Sequence, residues 1–187
     1  MDLKRIGLVS ALIWITSKMI LFNLNVKNSF EIGVGLNILL LLIVIFISVR
    51  RHFLSKKSVL YLDDVKAGMK QAGVYALLVS LFVFTYYKWI DKSFLANHLE
   101  KRVEAEDNRI EKQGGWEIFV ENSQDDHLKS MSKADYLDDF KDSAKQFFHP
   151  GFILTVSLAA MISIGFLYTL IITLFYRRFI SKFENMN

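Results

Sequence analysis

Four stretches of the chain stay apolar for long enough to cross roughly 30 Å of hydrocarbon, which takes about 20 helical residues. They cover residues 6–24, 32–49, 72–90 and 152–176. None alternates apolar and polar positions as a barrel strand does, and an isolated span satisfies its own backbone in lipid only as a helix. The pattern predicts an all-α membrane protein with four transmembrane helices. At about 1.5 Å rise per residue the fourth run would reach roughly 37 Å, so it should tilt or emerge from the bilayer. Lys4 and Arg5 precede the first run as in a signal peptide, but no small-residue cleavage site follows near residues 23–27, so it reads as a retained span.

Between the third and fourth runs the periodicity changes. Leu95, Leu99, Val103 and Ile110 form a narrow apolar stripe interrupted at Glu106, while Glu100, Glu104, Asp107 and Glu111 fall on another face. This predicts a helix from Lys92 to Lys112, stopped by Gly114 and Gly115. Ser132 with Asp135 three residues later opens a second helix carrying Tyr136, Leu137, Phe140, Ala144, Phe147 and Phe148. Pro150, the only proline, marks its junction with the fourth span. The stretch 116–120 is apolar but too short to classify. The resulting fold has two transmembrane hairpins, with an extramembrane helical hairpin between the third and fourth spans. Residues 1–90 hold the first three helices and a basic loop, 91–150 the acidic hairpin, and 151–187 the fourth helix and a basic tail. Asp63 and Asp64 suit a first helical turn, so the third helix should start before the membrane.

Charge adds an orientation. Lys4 and Arg5, then Arg50, Arg51, Lys56, Lys57, Lys66 and Lys70, then Arg177, Arg178 and Lys182 all flank the spans on one side, which the positive-inside rule makes cytoplasmic. Residues 91–150 carry 9 Lys or Arg against 14 Asp or Glu, net −5, and belong outside. Both termini are then cytoplasmic. The total of +4 conceals this segregation, and with 52% hydrophobic against 22% charged residues nothing points to nucleic acid as a partner. The absence of cysteine excludes disulfides, thiolate metal sites and a cysteine nucleophile. Arg50-Arg51-His52-Phe53 and Arg177-Arg178-Phe179 end the second and fourth spans alike, as inward-ending spans commonly do.

Candidate chemistry is sparse. Rows of small residues at i, i+4 (Gly7 and Ala11; Ala72, Ala76 and Ser80; Ala159 and Ser163) let helices approach closely in lipid, either within the chain or against another protein's spans. Lys18 is the one charge well inside a run; it either snorkels outward or forms a polar intramembrane cluster with Glu31 and Asn37. Lys88 with Tyr86, Tyr87 and Trp89 reads as an interfacial belt. None of the four runs contains a carboxylate, which disfavours proton- or ion-coupled transport. The outer histidines, including His127 beside Asp125 and Asp126, lack metal-ligand spacing, and no nucleotide-binding or nucleophile motif is present, so no catalytic, cofactor or metal residue is assigned.

Residues 62–68 (Leu-Asp-Asp-Val-Lys-Ala-Gly), Tyr86-Tyr-Lys-Trp-Ile-Asp91, the His149-Pro150 junction and the stretch 168–178 resemble an uncharacterised family of small four-span inner-membrane proteins from Bacteroidota. The resemblance implies a bacterial inner membrane, and hence a periplasmic 91–150 loop, but carries no activity or ligand residues. The expected role is a non-enzymatic membrane subunit or scaffold contacting the lipid bilayer and other membrane or periplasmic envelope proteins, with Trp116, Tyr136, Phe140 and Phe147 as the partner surface. The alternative is lipid or small-molecule handling, with an anionic headgroup such as a polyprenyl phosphate at Lys18.

Overall fold

The computed structural model describes residues 5–56, 60–123 and 126–180. Lys4, Lys57, Asp125 and Lys182, and the side chains of Lys56 and Asp126, lie outside the described residues. In chain order the helices are α1 (Ile6–Asn23), α2 (Ser29–Lys56), α3 (Tyr61–Thr85) with a π-helical turn Tyr86–Ile90, α4 (Lys92–Lys112), α5 (Trp116–Glu121), α6 (Asp126–Lys129), α7 (Lys133–Lys145) and α8 (Pro150–Phe175) with a second π-helical turn Tyr176–Ile180. No strand occurs among the described residues. Four helical stretches, Ile6–Asn23, Ser29–Ser55, Tyr61–Ile90 and Pro150–Phe179, are long and apolar enough to cross a membrane. By length and composition the chain is therefore a multi-pass membrane protein.

The second and third spanning helices are longer than the apolar runs that predict them. The extensions carry polar groups, of which Asp64 and Gln71 are buried against other helices and not exposed to lipid. Hydropathy reads such groups as unfit for a membrane, yet a buried polar group is tolerated where a neighbouring helix satisfies it.

Two compact units are distinguished, one comprising the chain up to Phe82 together with Thr155 onward, the other Val83–Leu154. In the first, α1 and α2 pack side by side, with the Trp14 indole donating to the Gly33 carbonyl at 2.8 Å. α1 also lies tight on α3. The Gly7 N–H donates to Gln71 Oε1 at 3.2 Å, and a Cβ added at Gly7 would meet the Gln71 carbonyl oxygen at 2.6 Å. α3 approaches α2 and α8 just as closely at Gly68, where an added Cβ would meet Thr169 Cγ2 at 2.7 Å and Val49 Cγ2 at 3.1 Å.

The predicted small-residue rows are therefore resolved individually. Gly7, Ala11, Ala72, Ala76 and Ser80 are all buried in packing. Ala159 and Ser163 are exposed and take no part in packing within the chain. The buried row is Met161, Gly165, Thr169 and Thr173, two positions out of phase. Threonine suits it because Thr169 returns its hydroxyl to the Gly165 carbonyl at 2.7 Å, leaving a methyl-lined contact face.

The second unit is built around α4 and α7. α4 spans Lys92–Lys112 as its stripe predicts, starts on Asp91, whose side chain accepts from the Phe94 N–H at 3.2 Å, and ends before Gly114 and Gly115 at positive φ of 104° and 91°. Ser132 and Asp135 form the capping box of α7. The stretch beginning at Trp116 folds as the short helix α5.

Candidate functional site

The least expected constellation lies where the start of α3 meets the ends of α2 and α8. Asp64, in the first turn of α3, is 0% exposed. Arg177, in the π-helical turn after α8, donates from both Nε and Nη2 to Asp64 Oδ2 at 2.7 Å. His52 of α2 brings Nε2 to 4.0 Å from the other oxygen, Oδ1. His52 Nε2 and Asp64 Oδ1 have no hydrogen-bond partner among the described residues. Tyr176 is fully buried, edge-on to Phe53 and Phe46 at ring separations of 5.2 and 6.4 Å, which places the adjacent Arg177 at the carboxylate. The ion pair thereby ties the start of α3 to the end of α8, with His52 of α2 beside it.

Asp64 precedes the third apolar run, in the extension that lengthens its helix, so the four runs themselves hold no carboxylate. The two arginine doublets sit differently: Arg177 holds Asp64, whereas Arg50 is exposed on α2. An acid in a first helical turn is explained locally by the helix dipole, which is why the sequence marks Asp64 as a helix start and not as half of an ion pair.

The predicted Lys18 cluster takes another form. Lys18 is 6% exposed, and its ammonium donates to the Ser29 carbonyl at 3.3 Å, beside Gly33. Asn37 Oδ1 instead accepts from the Tyr75 hydroxyl at 2.7 Å, and Asn37 Nδ2 approaches Met161 Sδ at 3.6 Å, joining α2 to α3 and α8. Glu31 is exposed. Lys18 thus pins the turn between α1 and α2, and Asn37 serves a different junction.

In the second unit the interruption of the α4 stripe has a physical cause. Glu106 is buried and accepts from Arg109 and from the Tyr136 hydroxyl at 2.8 Å across to α7. Burial alone would raise its pKa, but the hydrogen bonds from Arg109 and Tyr136 and the nearby Arg109 and Arg102 charges outweigh it and hold the carboxyl below its usual range. Lys133 bridges Asp107 and Glu111 from α7. Trp116, Phe119 and Tyr136 stack with ring separations of 5.3 to 5.7 Å, with Phe140 next to Tyr136. Of the four residues expected to face a partner, Trp116, Tyr136 and Phe140 are half-buried in this cluster. Phe147 stands apart, 58% exposed and edge-on to Phe152.

The sign of the Glu106 contribution follows from its lowered pKa. The stabilisation is complete above the unfolded carboxyl value of about 4.3 and is lost as pH falls through the lower folded value. Glu106→Gln should therefore narrow the difference in melting temperature between pH 7 and pH 3, measured by circular dichroism; an unchanged difference would contradict the Glu106–Arg109–Tyr136 linkage.

Around the remaining candidates the contacts are local. Lys88 lies over the Phe84 and Trp89 rings at 5.2 and 5.1 Å. His98 stacks on Phe94, and His149 Nδ1 accepts from the Gly151 N–H at 3.1 Å at the start of α8. No group of three metal-ligating side chains occurs among the described residues.

Neither a curated protein nor a solved structure shows detectable similarity to this sequence. A family profile, by contrast, matches residues 5–178, a stretch that includes the first three candidate spans, all but the last residue of the fourth, the Asp64 junction and the whole of the second unit. The chain therefore belongs to DUF4199, a family of proteins of unknown function.

Proposed function

We propose that the chain is a non-enzymatic subunit or scaffold of the bacterial inner membrane, which binds other envelope proteins through its 91–150 region. Both termini lie in the cytoplasm, the spans form two hairpins, and the helical hairpin of α4 and α7 stands in the periplasm. The observation that carries this reading is the self-contained build of the second unit. It has an aromatic cluster and ion pairs of its own, yet leaves Ile118 and Phe147 exposed outside the four apolar runs. A partner that covered these side chains would gain their apolar burial. The Asp64 junction fits the same picture, because a paired carboxylate closing a helix bundle serves architecture.

One experiment tests orientation and partner together. A membrane-impermeant amine crosslinker applied to spheroplasts should label lysines of residues 91–150, spare Lys66 and Lys70, and capture a reproducible envelope protein whose yield falls at least about tenfold in Ile118→Asp, the loss of roughly 1.4 kcal/mol. Labelling of Lys66 and Lys70 in place of the loop would overturn the orientation. Capture of no reproducible protein would overturn the scaffold role.

A further inference from the structure

The face where α4 meets α7 holds a groove of about 330 Å³ lined by Arg102, Phe140, Ser143, Ala144, Phe147 and Phe148. This is within the size range of small-molecule sites, which are mostly apolar with a few polar groups that fix orientation. The groove follows that rule. Three phenylalanines and an alanine form its walls, and Arg102 is its one charged side chain.

The groove also has a direction. Tyr136 meets Glu106 and Lys133 meets Glu111, so α4 and α7 run past each other in opposite senses and Phe140 falls near the level of Arg102. The Phe147 and Phe148 end lies just before Pro150, where α8 begins, and Phe147 packs edge-on to Phe152 in the first turn of that helix at a ring separation of 5.2 Å. The Phe147 end of the groove therefore adjoins the first turn of a helix long and apolar enough to cross a bilayer.

From this arrangement we infer that the groove binds one acyl chain of an anionic phospholipid drawn from the membrane, with the lipid phosphate at Arg102 and the chain along Phe140, Ala144, Phe147 and Phe148. Charge complementarity favours an anionic occupant. Within a loop of net charge −5, the guanidinium stands at this apolar groove, where a phosphate gains a charge-assisted hydrogen bond and a tail gains burial. A neutral lipid or an apolar peptide would leave Arg102 without that gain. The inference stands independently of the scaffold role, because it concerns what fills this groove and not what binds at Ile118.

The test uses the full chain in phosphatidylcholine nanodiscs doped with trace phosphatidylglycerol or phosphatidylcholine whose acyl chain carries a diazirine, followed by photolysis and peptide mapping. The expected result is labelling of the 140–148 peptide, with about a fivefold preference for phosphatidylglycerol, the attraction of roughly one basic side chain. Arg102→Gln should bring the two probes to equal labelling, and Ser143→Trp, which fills the groove from an exposed position, should abolish labelling by both. Equal labelling of the wild-type chain by both lipids would overturn the inference. So would a Ser143→Trp chain that elutes normally and is labelled as before, or crosslinks from the groove to a polypeptide in place of lipid. The Arg102→Gln comparison reads lipid preference even if the tryptophan variant fails to fold.

Discussion

Asp64→Asn is expected to lower the stability of the helix bundle by about 3 kcal/mol, near the lower end of the cost of breaking a buried ion pair. The lower end applies because the Arg177 side chain retains a quarter of its exposure and can recover some water, whereas the Asp64 side chain is fully buried. The asparagine keeps the shape and removes the charge, leaving the guanidinium opposite a neutral amide. A fall in melting temperature of roughly 6–12 °C, read by size-exclusion chromatography after heating in detergent, is the anticipated signal. The double variant Asp64→Leu with Arg177→Met should recover most of the loss, since replacing both partners by apolar groups removes the desolvation cost together with the attraction. If the asparagine variant melts like the parent, the pair contributes nothing and the clasp of α3 to α8 is not a source of stability.

Gly7→Val is expected to cost about 2–3 kcal/mol by overpacking. The obstacle to its Cβ is the backbone carbonyl of Gln71 at 2.6 Å, which cannot swing aside as a side chain would, so α1 must move away from α3 and the hydrogen bond from Gly7 to Gln71 is strained with it. Gly68→Ala should act in the same direction through Thr169 and Val49. Gly35 and Gly73 supply the control, because an added Cβ at either meets nothing within 4 Å, and alanine there should raise helix stability by about 0.5–1 kcal/mol. Thermal melts of the four variants in one detergent decide the matter. Equal loss at Gly7 and Gly35 would mean that glycine content, and not close approach, governs the bundle.

What was legible in the sequence divides along physical lines. The spans and both main helices of the second unit could be read because each rests on a local signal: an unbroken apolar run, a stripe ended by glycines, a serine cap with its acid three residues on. Glu106 left a trace as the break in an apolar stripe, the sign of a polar group that folding would have to satisfy. Asp64 left none, since its partner lies 113 residues away and its own position already suits an acid. On α8 the period of four was visible but its phase was not. Ala159–Ser163 and Gly165–Thr169 both repeat at i, i+4, and only the packing of α2 and α3 selects the second. Lys18 was read as snorkelling outward or joining a polar cluster with Glu31 and Asn37; nothing in the sequence hinted at the Ser29 backbone carbonyl, four residues before Gly33, that accepts from it. Turn carbonyls are invisible to any scan of side-chain types.

The distance along the chain between Asp64 and Arg177 also matters during synthesis. At the usual 5–20 residues per second, roughly 6–20 s pass between the appearance of the acid and that of the base 113 residues later. Throughout that interval the nascent protein carries a carboxylate that its own sequence has not yet neutralised, at the edge of helices already bound for the bilayer. Completion of the last helix is thus the event that pairs this site, and a product truncated before Arg177 has Asp64 without its guanidinium.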